Sequence, residues 1–201
     1  MDAGHPMISN VRHAVLVCVL SVSAAASAYA ALPEGAAAPQ FRAPAALAGR
    51  QIMFDLNEAL KKGPVVVYFY PSAYTNGCNV QARTFAVNHD EFIAAGATVI
   101  GVSLDSIERL KEFSADPEFC AGKFPTASDP DGAIAKSFDL KISEGAPGMK
   151  DTRGQSLNHG FAERTTFIIG KDGRVVAAVG GLNPKENVTK SLEIIKNTVR
   201  S

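Results

Sequence analysis

The sequence predicts an α/β fold, a β-sheet with helices on both faces, from two buried-strand signals and the helical segment between them. Val65 to Tyr70 is a continuous apolar run bounded by Gly63-Pro64 and Pro71, and Ala97 to Leu104 is a second such run. Short unbroken apolar runs between breakers fit central parallel strands that are covered on both sides. From Cys78 to Ala95, Phe85, Phe92 and Ile93 recur at helical spacing, and Gly96 supplies the stop. A β-α-β-α alternation of this kind sets parallel strands side by side and puts the helices on the faces.

The first thirty residues differ from the rest. Arg12 and His13 precede the apolar run Ala14 to Leu20, and small residues lead to Ala28-Tyr29-Ala30. This is the layout of a secretory signal peptide, so cleavage after Ala30 and export, to the periplasm in a bacterium, are expected. The run is shorter than the roughly 20 residues of a membrane span, and stable membrane association is not expected. Cys18 is removed with the leader, and Val17 before it does not suit a lipoprotein cleavage site. Asp2 and Met7 leave the true start open. Residues 31–201 have the length of one domain.

Within that domain Leu32 to Pro44, rich in alanine and proline, reads as an extended lead-in. Gln51 to Phe54 is a short strand and Asp55 to Lys62 a helical turn or two. After the second buried strand, Asp105 with Glu108 resembles a capping pair, and Ile107, Leu110 and Phe113 give the following helix one apolar face. Pro125 to Asp129 predicts a short strand and Pro130 to Phe138 a short helix. Ile142 to Gly160, glycine-rich and without periodicity, reads as a surface loop. Arg164 to Ile169, the turn Lys171-Asp172-Gly173 and Arg174 to Val179 form a strong hairpin signal. Asn183-Pro184 opens a terminal helix with Leu192, Ile195 and Val199 inward. The sequon Asn187-Val188-Thr189 falls in that helix and carries little weight.

Twenty basic residues balance twenty acidic ones, which argues against nucleic acid, an anionic membrane surface or a polyanionic substrate as partner. A small, weakly charged partner is expected. Four scattered histidines lack ligand spacing, so neither a metal site nor a cofactor is predicted. Without the leader only Cys78 and Cys120 remain, an even pair suited to a structural bridge or a redox couple.

Pro71-Ser-Ala-Tyr-Thr-Asn-Gly-Cys78 is the most informative segment. A strand that ends in proline, then a short loop and a cysteine entering a helix, aims free backbone N–H groups and the positive dipole end at the sulfur. Such positions favour thiolate over thiol. Thr75 can cap the helix and also meet an oxygen approaching the sulfur. Tyr74, inside the loop, is a candidate substrate contact, while Tyr68, Phe69 and Tyr70 are core by position.

These residues resemble the Pro-x-x-x-Thr-x-x-Cys signature of the peroxiredoxins, thiol peroxidases built on the thioredoxin fold. The resemblance covers roughly the whole mature chain. It includes Ala38-Pro39-Gln40-Phe41, Tyr68-Phe69-Tyr70-Pro71, Gly101-Val102-Ser103, Ser128-Asp129-Pro130-Asp131-Gly132 and Arg164-Thr165-Thr166-Phe167-Ile168-Ile169. Cys78-Asn-Val-Gln-Ala82 is most similar to the bacterioferritin-comigratory, or PrxQ-like, branch. The resemblance implies a thioredoxin-like fold whose central mixed sheet is flanked by helices on both faces. It also implies reduction of hydrogen peroxide and small organic hydroperoxides, with an external thiol or dithiol reductant such as a thioredoxin-like protein, in a monomer or homodimer.

By the same resemblance Cys78 is the peroxidatic nucleophile, Arg164 holds the thiolate and the peroxide oxygens, Thr75 meets those oxygens and Pro71 shields the sulfur. Gln81 can orient the helix or the site, and His159 can line its entrance. The branch often carries its resolving cysteine five residues after the nucleophile, where this chain has Arg83. Cys120 then becomes the candidate: it closes an intramolecular disulfide with Cys78, bridges subunits, or stands by in a one-cysteine enzyme. A thioredoxin-like disulfide oxidoreductase is the competing reading. Thr75 in place of the first cysteine of C-x-x-C argues against it, and the intact set of Pro71, Thr75, Cys78 and Arg164 argues against a binding protein that has lost turnover.

Overall fold

The computed structural model describes Met1 and residues 31–198; the rest of the segment read as a signal peptide, with Cys18, and Val199 lie outside the described residues. In chain order the elements are β1 (Arg42–Leu47), β2 (Arg50–Asp55), α1 (Leu56–Leu60), β3 (Val65–Phe69), α2 (Asn76–Val87), α3 (His89–Ala94), β4 (Thr98–Ser103) and α4 (Ile107–Ala115). There follow β5 (Thr126–Ser128), α5 (Ala133–Ser137), β6 (Ile142–Ser143), β7 (Phe161–Ala162), β8 (Thr165–Ile169), β9 (Val175–Gly180) and α6 (Pro184–Thr198). Seven of these strands form one sheet in the order β2-β1-β5-β4-β3-β8-β9. Only β3, β4 and β5 run parallel; β8 pairs antiparallel with β3, and β1 with β5, so the sheet is mixed.

The continuous apolar run of β3 is explained by the two cores it separates. Val66, Tyr68 and Tyr70 face one side with Phe85 of α2, Phe92 of α3, Phe113 of α4 and Ile195 of α6. Val65, Val67 and Phe69 face the other with Leu56 of α1, Ala135 of α5 and Phe138. Alternate residues of a strand point to opposite faces, so a strand between two cores must be apolar at every position. Each such side chain, fully buried, contributes about 1.5–3 kcal/mol. Gly101 of β4 is required by this packing, since a Cβ there would sit 2.6 Å from Cζ of Tyr68.

Three expectations are corrected. The lead-in, expected to end at Pro44, runs on into a full strand, β1, paired with β2 through all six residues and joined to it by Ala48 and Gly49, both at positive φ (49° and 81°). That is a two-residue hairpin turn whose usual Asn-Gly or Asp-Gly signal is replaced by Ala-Gly. The helix expected from Cys78 to Ala95 is two helices, interrupted at Asn88, whose side-chain amide donates to the Thr84 carbonyl at 2.8 Å. Ile93 is consequently exposed while Phe85 and Phe92 are buried. Finally, α4 is capped by Ser106, whose hydroxyl accepts from the Arg109 N–H, and not by Asp105, which is fully buried.

Candidate active site

The apolar strand β3 delivers Tyr70 and Pro71 to the loop that precedes α2, and Cys78 is the third residue of that helix. Its side chain is 1 % exposed, at the end of a helix where backbone N–H groups lack partners. Arg164, immediately before β8, crosses over the first turn of α2 and places Nη2 3.3 Å from Cys78 Sγ. The crossing needs Gly77: a Cβ there would lie 3.1 Å from Arg164 Nη2 and 3.3 Å from Cγ of Pro184. Thr75 is the N-cap residue, but its hydroxyl does not bond the helix. It donates to the Ser72 carbonyl at 2.8 Å, which leaves the oxygen free only to accept. Pro71 is half-buried beside this loop.

Gln81, one turn after Cys78, is fully buried and accepts a hydrogen bond from Nη1 of Arg164. Of the two roles open to Gln81, orienting the helix or the site, the geometry puts it against the arginine. Cys120 is fully buried and free, in the same core as Cys78. Burial, with Asp116 nearby, pushes its thiol well above the usual range. The Cys120 thiol is therefore inert while the surrounding core stays closed.

The back of the catalytic loop is held by Asp105, whose importance the sequence did not reveal. One carboxylate oxygen accepts from the Ser72 hydroxyl at 2.7 Å and lies 3.0 Å from His159 Nε2; the other accepts from the Ala73 N–H and the Ser103 hydroxyl, both at 2.7 Å. Burial alone would raise this carboxyl, but the bonds from His159, Ala73, Ser72 and Ser103 outweigh it and hold the group below the usual range. His159 does not line the entrance beside Arg164. Its Nδ1 lies 2.8 Å from the Gly160 carbonyl and its Nε2 faces Asp105, so both ring nitrogens meet acceptors, which favours the doubly protonated ring. The bond to Asp105 accordingly raises the imidazole pKa against the effect of burial. Arg109 completes the cluster: Nη2 donates to the Ala73 carbonyl at 2.8 Å and to Asp151 at 2.7 Å. Its Nε lies 3.0 Å from Asp105, an ion pair in which the N–H is not aimed at the oxygen.

Asp151 belongs to the segment expected to be a surface loop. Part of that segment is instead tied down over the catalytic loop. The Thr152 N–H and hydroxyl both donate to the Tyr74 carbonyl at 2.8 Å. The Arg153 guanidinium lies 3.3 Å from the centroid of the Tyr74 ring and pairs with Glu112 at 2.8 Å. Tyr74 is 2 % exposed, packed edge-on against Phe113 and Phe119, which corrects its reading as a substrate contact. Burial pushes its phenol up to about 12. Its backbone sits at φ 60°, a left-handed conformation that costs a residue with a Cβ roughly 1–2 kcal/mol.

A buried thiol at a helix start with a guanidinium on the sulfur is the arrangement that the resemblance implied, and comparison with known proteins decides the family. Residues 35–178 match the AhpC/TSA family. The chain belongs to that family. Among relatives, peroxiredoxin Bcp of Xanthomonas campestris is 37 % identical over 114 residues, 57 % of this chain and 64 % of that protein. Peroxiredoxin Bcp of Bacillus subtilis is 29 % identical over 133 residues, 66 % of this chain and 78 % of that protein. Of solved structures, peroxidoxin BcpB from Mycobacterium tuberculosis superposes with a TM-score of 0.68 at 27 % identity, over 84 % of this chain and 98 % of the other. Xanthomonas campestris peroxiredoxin Q gives 0.62 at 30 % identity, over 78 % and 90 %. The chain is thus a peroxiredoxin of the Bcp and peroxiredoxin Q branch, with the thioredoxin-like fold and thiol peroxidase activity of its family.

Proposed function

We propose that Cys78 is the peroxidatic thiol of this enzyme and that Cys120 resolves it within the chain. The observation that carries the first assignment is Arg164 Nη2 at 3.3 Å from Cys78 Sγ. A guanidinium there stabilises the thiolate and can donate to an incoming peroxide oxygen as charge develops on it. The sulfur attacks one oxygen of the peroxide, the O–O bond breaks, and the departing oxygen leaves as hydroxide or alkoxide and takes up a proton. Cys78 becomes a sulfenic acid, oxidised by two electrons as the peroxide is reduced by two. Thr75, its proton committed to Ser72, acts as an acceptor for the peroxide O–H and orients it. Pro71 limits water at the sulfur. The near-closed surroundings of Cys78 favour small hydroperoxides.

Resolution requires the Cys120 thiol to leave its core and the first turn of α2 to unwind. Cys120 then attacks the sulfenic sulfur, water departs, and a disulfide forms that an external dithiol of thioredoxin type reduces. Support comes from the presence of both cysteines in one core cluster. The test is mass spectrometry after one equivalent of hydrogen peroxide: a disulfide between residues 78 and 120 is expected, and in Cys120→Ser a sulfenic acid on Cys78 that a second equivalent carries to sulfinic acid. A wild type that shows only sulfenic or sulfinic Cys78 rejects the resolving role. Loss of peroxide consumption in Cys78→Ser, with turnover in the wild type well above free cysteine, tests the first assignment.

We further propose that the enzyme is exported, with cleavage after Ala30. The leader-like composition of residues 1–30 supports this, as does the start of the family match at residue 35. N-terminal sequencing of protein recovered from the producing cell reads the cleavage point.

A further inference from the structure

The sequon asparagine, Asn187, has a different use. It is fully buried in α6, and its Nδ2 donates to the Val179 carbonyl at 2.8 Å. Its Oδ1 accepts from the Thr166 hydroxyl at 2.6 Å and from Gln81 Nε2 at 3.0 Å. Gln81 in turn offers Oε1 to Nη1 of Arg164, whose Nη2 reaches Cys78 Sγ. The two ends of this chain of bonds have fixed sign. A backbone carbonyl can only accept and a guanidinium can only donate. Between them stand two primary amides, each with one oxygen and one NH₂ group, and one arrangement satisfies every member: nitrogen to Val179, oxygen to Gln81, nitrogen to Asn187, oxygen to Arg164.

We propose that Asn187 is a positioning residue for peroxide reduction, fixing the direction of the Gln81 amide so that an oxygen, never an NH₂ group, faces Arg164. A reversed Gln81 would set its amide hydrogens against the guanidinium and push it off the sulfur. With Asn187 in place, reversal is blocked from behind. Reversal would also leave two oxygens opposed at Asn187, and turning Asn187 to relieve that would oppose its oxygen to the Val179 carbonyl. Buried amides in such a network have no water to repair a wrong orientation. The terminal helix, which holds no reacting group, thereby sets the electrostatics at Cys78. This inference rests on the reading of Cys78 and Arg164 as the reacting thiol and its cation, and its tests separate the two.

Asn187→Leu is expected to slow peroxide consumption about tenfold, as loss of a hydrogen bond to a charged group would, and to move the pH profile of Cys78 alkylation by iodoacetamide to higher pH. Thr166→Val removes one bond to the same Asn187 oxygen without freeing Gln81. It should lower the melting temperature comparably yet keep at least half of the rate. In a Gln81→Leu background, Asn187→Leu should slow the enzyme no further. A rate for Asn187→Leu within twofold of wild type, an equal loss in Thr166→Val, or multiplicative losses in the double variant would each overturn the proposal. If Asn187→Leu does not fold, Asn187→Ser carries the same comparisons. A wild type that consumes no peroxide overturns the thiol-peroxidase reading instead; the alkylation profile, which needs no peroxide, then still decides the relay.

Discussion

Replacing Asp105 by asparagine keeps the shape of the side chain and removes the charge that organises the back of the catalytic loop. The carboxylate oxygens face Ser72, His159 and Arg109 on one side and Ala73 and Ser103 on the other. An NH₂ group in either place opposes at least one fixed N–H donor; His159 loses its buried counter-charge, and Arg109 is left with Asp151 alone. Removing one partner of a buried ion pair costs about 3–5 kcal/mol. The side chain keeps one accepting oxygen, so the lower end, about 3 kcal/mol, is expected. At roughly 2–4 °C per kcal/mol for a chain of this size, the melting temperature falls by about 6–12 °C. The pH dependence changes as well. His159 is raised above its ordinary value by Asp105, so its contribution is complete below about pH 6.5 and is lost as pH rises through the higher folded value. Asp105 is held low, so its contribution is present above the ordinary carboxyl range and is lost as pH falls through the lower folded value. Thermal unfolding followed by circular dichroism from pH 5.5 to 9, under reducing conditions, should show wild-type stability declining above neutrality. The Asp105→Asn difference should therefore be largest in the mildly acidic range and shrink with rising pH. A constant difference, or a total loss below about 1 kcal/mol, would refute the account of this cluster.

Gly77→Ala separates stability from chemistry. Alanine is the better helix former by about 0.8–1 kcal/mol, so the melting temperature should hold or rise, while the Cβ 3.1 Å from Arg164 displaces the guanidinium and peroxide consumption drops about tenfold. An unchanged rate would mean that Arg164 need not cross at this distance. Arg153→Ala removes the cation over the Tyr74 ring, worth about 1 kcal/mol at a partly exposed site. Amide hydrogen exchange across Tyr74–Asn79 should quicken about fivefold with little change in global melting; unaltered exchange there would show that the loop is held without it.

The architecture was legible because its central strands are buried on two sides. Val65 to Tyr70 and the Lys171-Asp172-Gly173 turn are unambiguous at the level of pattern, and both are where the sequence puts them. The strand β1 was hidden because Ala43, Pro44, Ala45 and Ala46 have little strand preference and owe their conformation to pairing with β2 and β5. In the site, Pro71, Thr75, Cys78 and Arg164 could be read from a local motif and a strand register. Asp105, Arg109 and Asn187 could not, because each reaches the site through at least one partner more than thirty residues away. Asp105 sits where a helix cap is expected and Asn187 where a modification motif occurs, so the local signal pointed elsewhere. The one available hint was an acid closing an otherwise buried strand, since an uncompensated charge in that position must find donors.

The segment clasped over Tyr74 also bears on the reduction potential. In the proposed cycle the disulfide forms only after the first turn of α2 has come apart; the ties from Thr152 and Arg153 to Tyr74, just ahead of that turn, hold the dithiol form, and whichever of them the opening breaks stabilise that form alone. Their free energy, less the strain released when Tyr74 leaves φ 60°, favours the reduced form. For a two-electron couple each 1.4 kcal/mol of such preference raises the potential by about 30 mV. On that cycle a loop that contains no cysteine would help to set how weak an electron donor can still regenerate the enzyme, and changes at Thr152 or Arg153 would retune that choice without touching either sulfur.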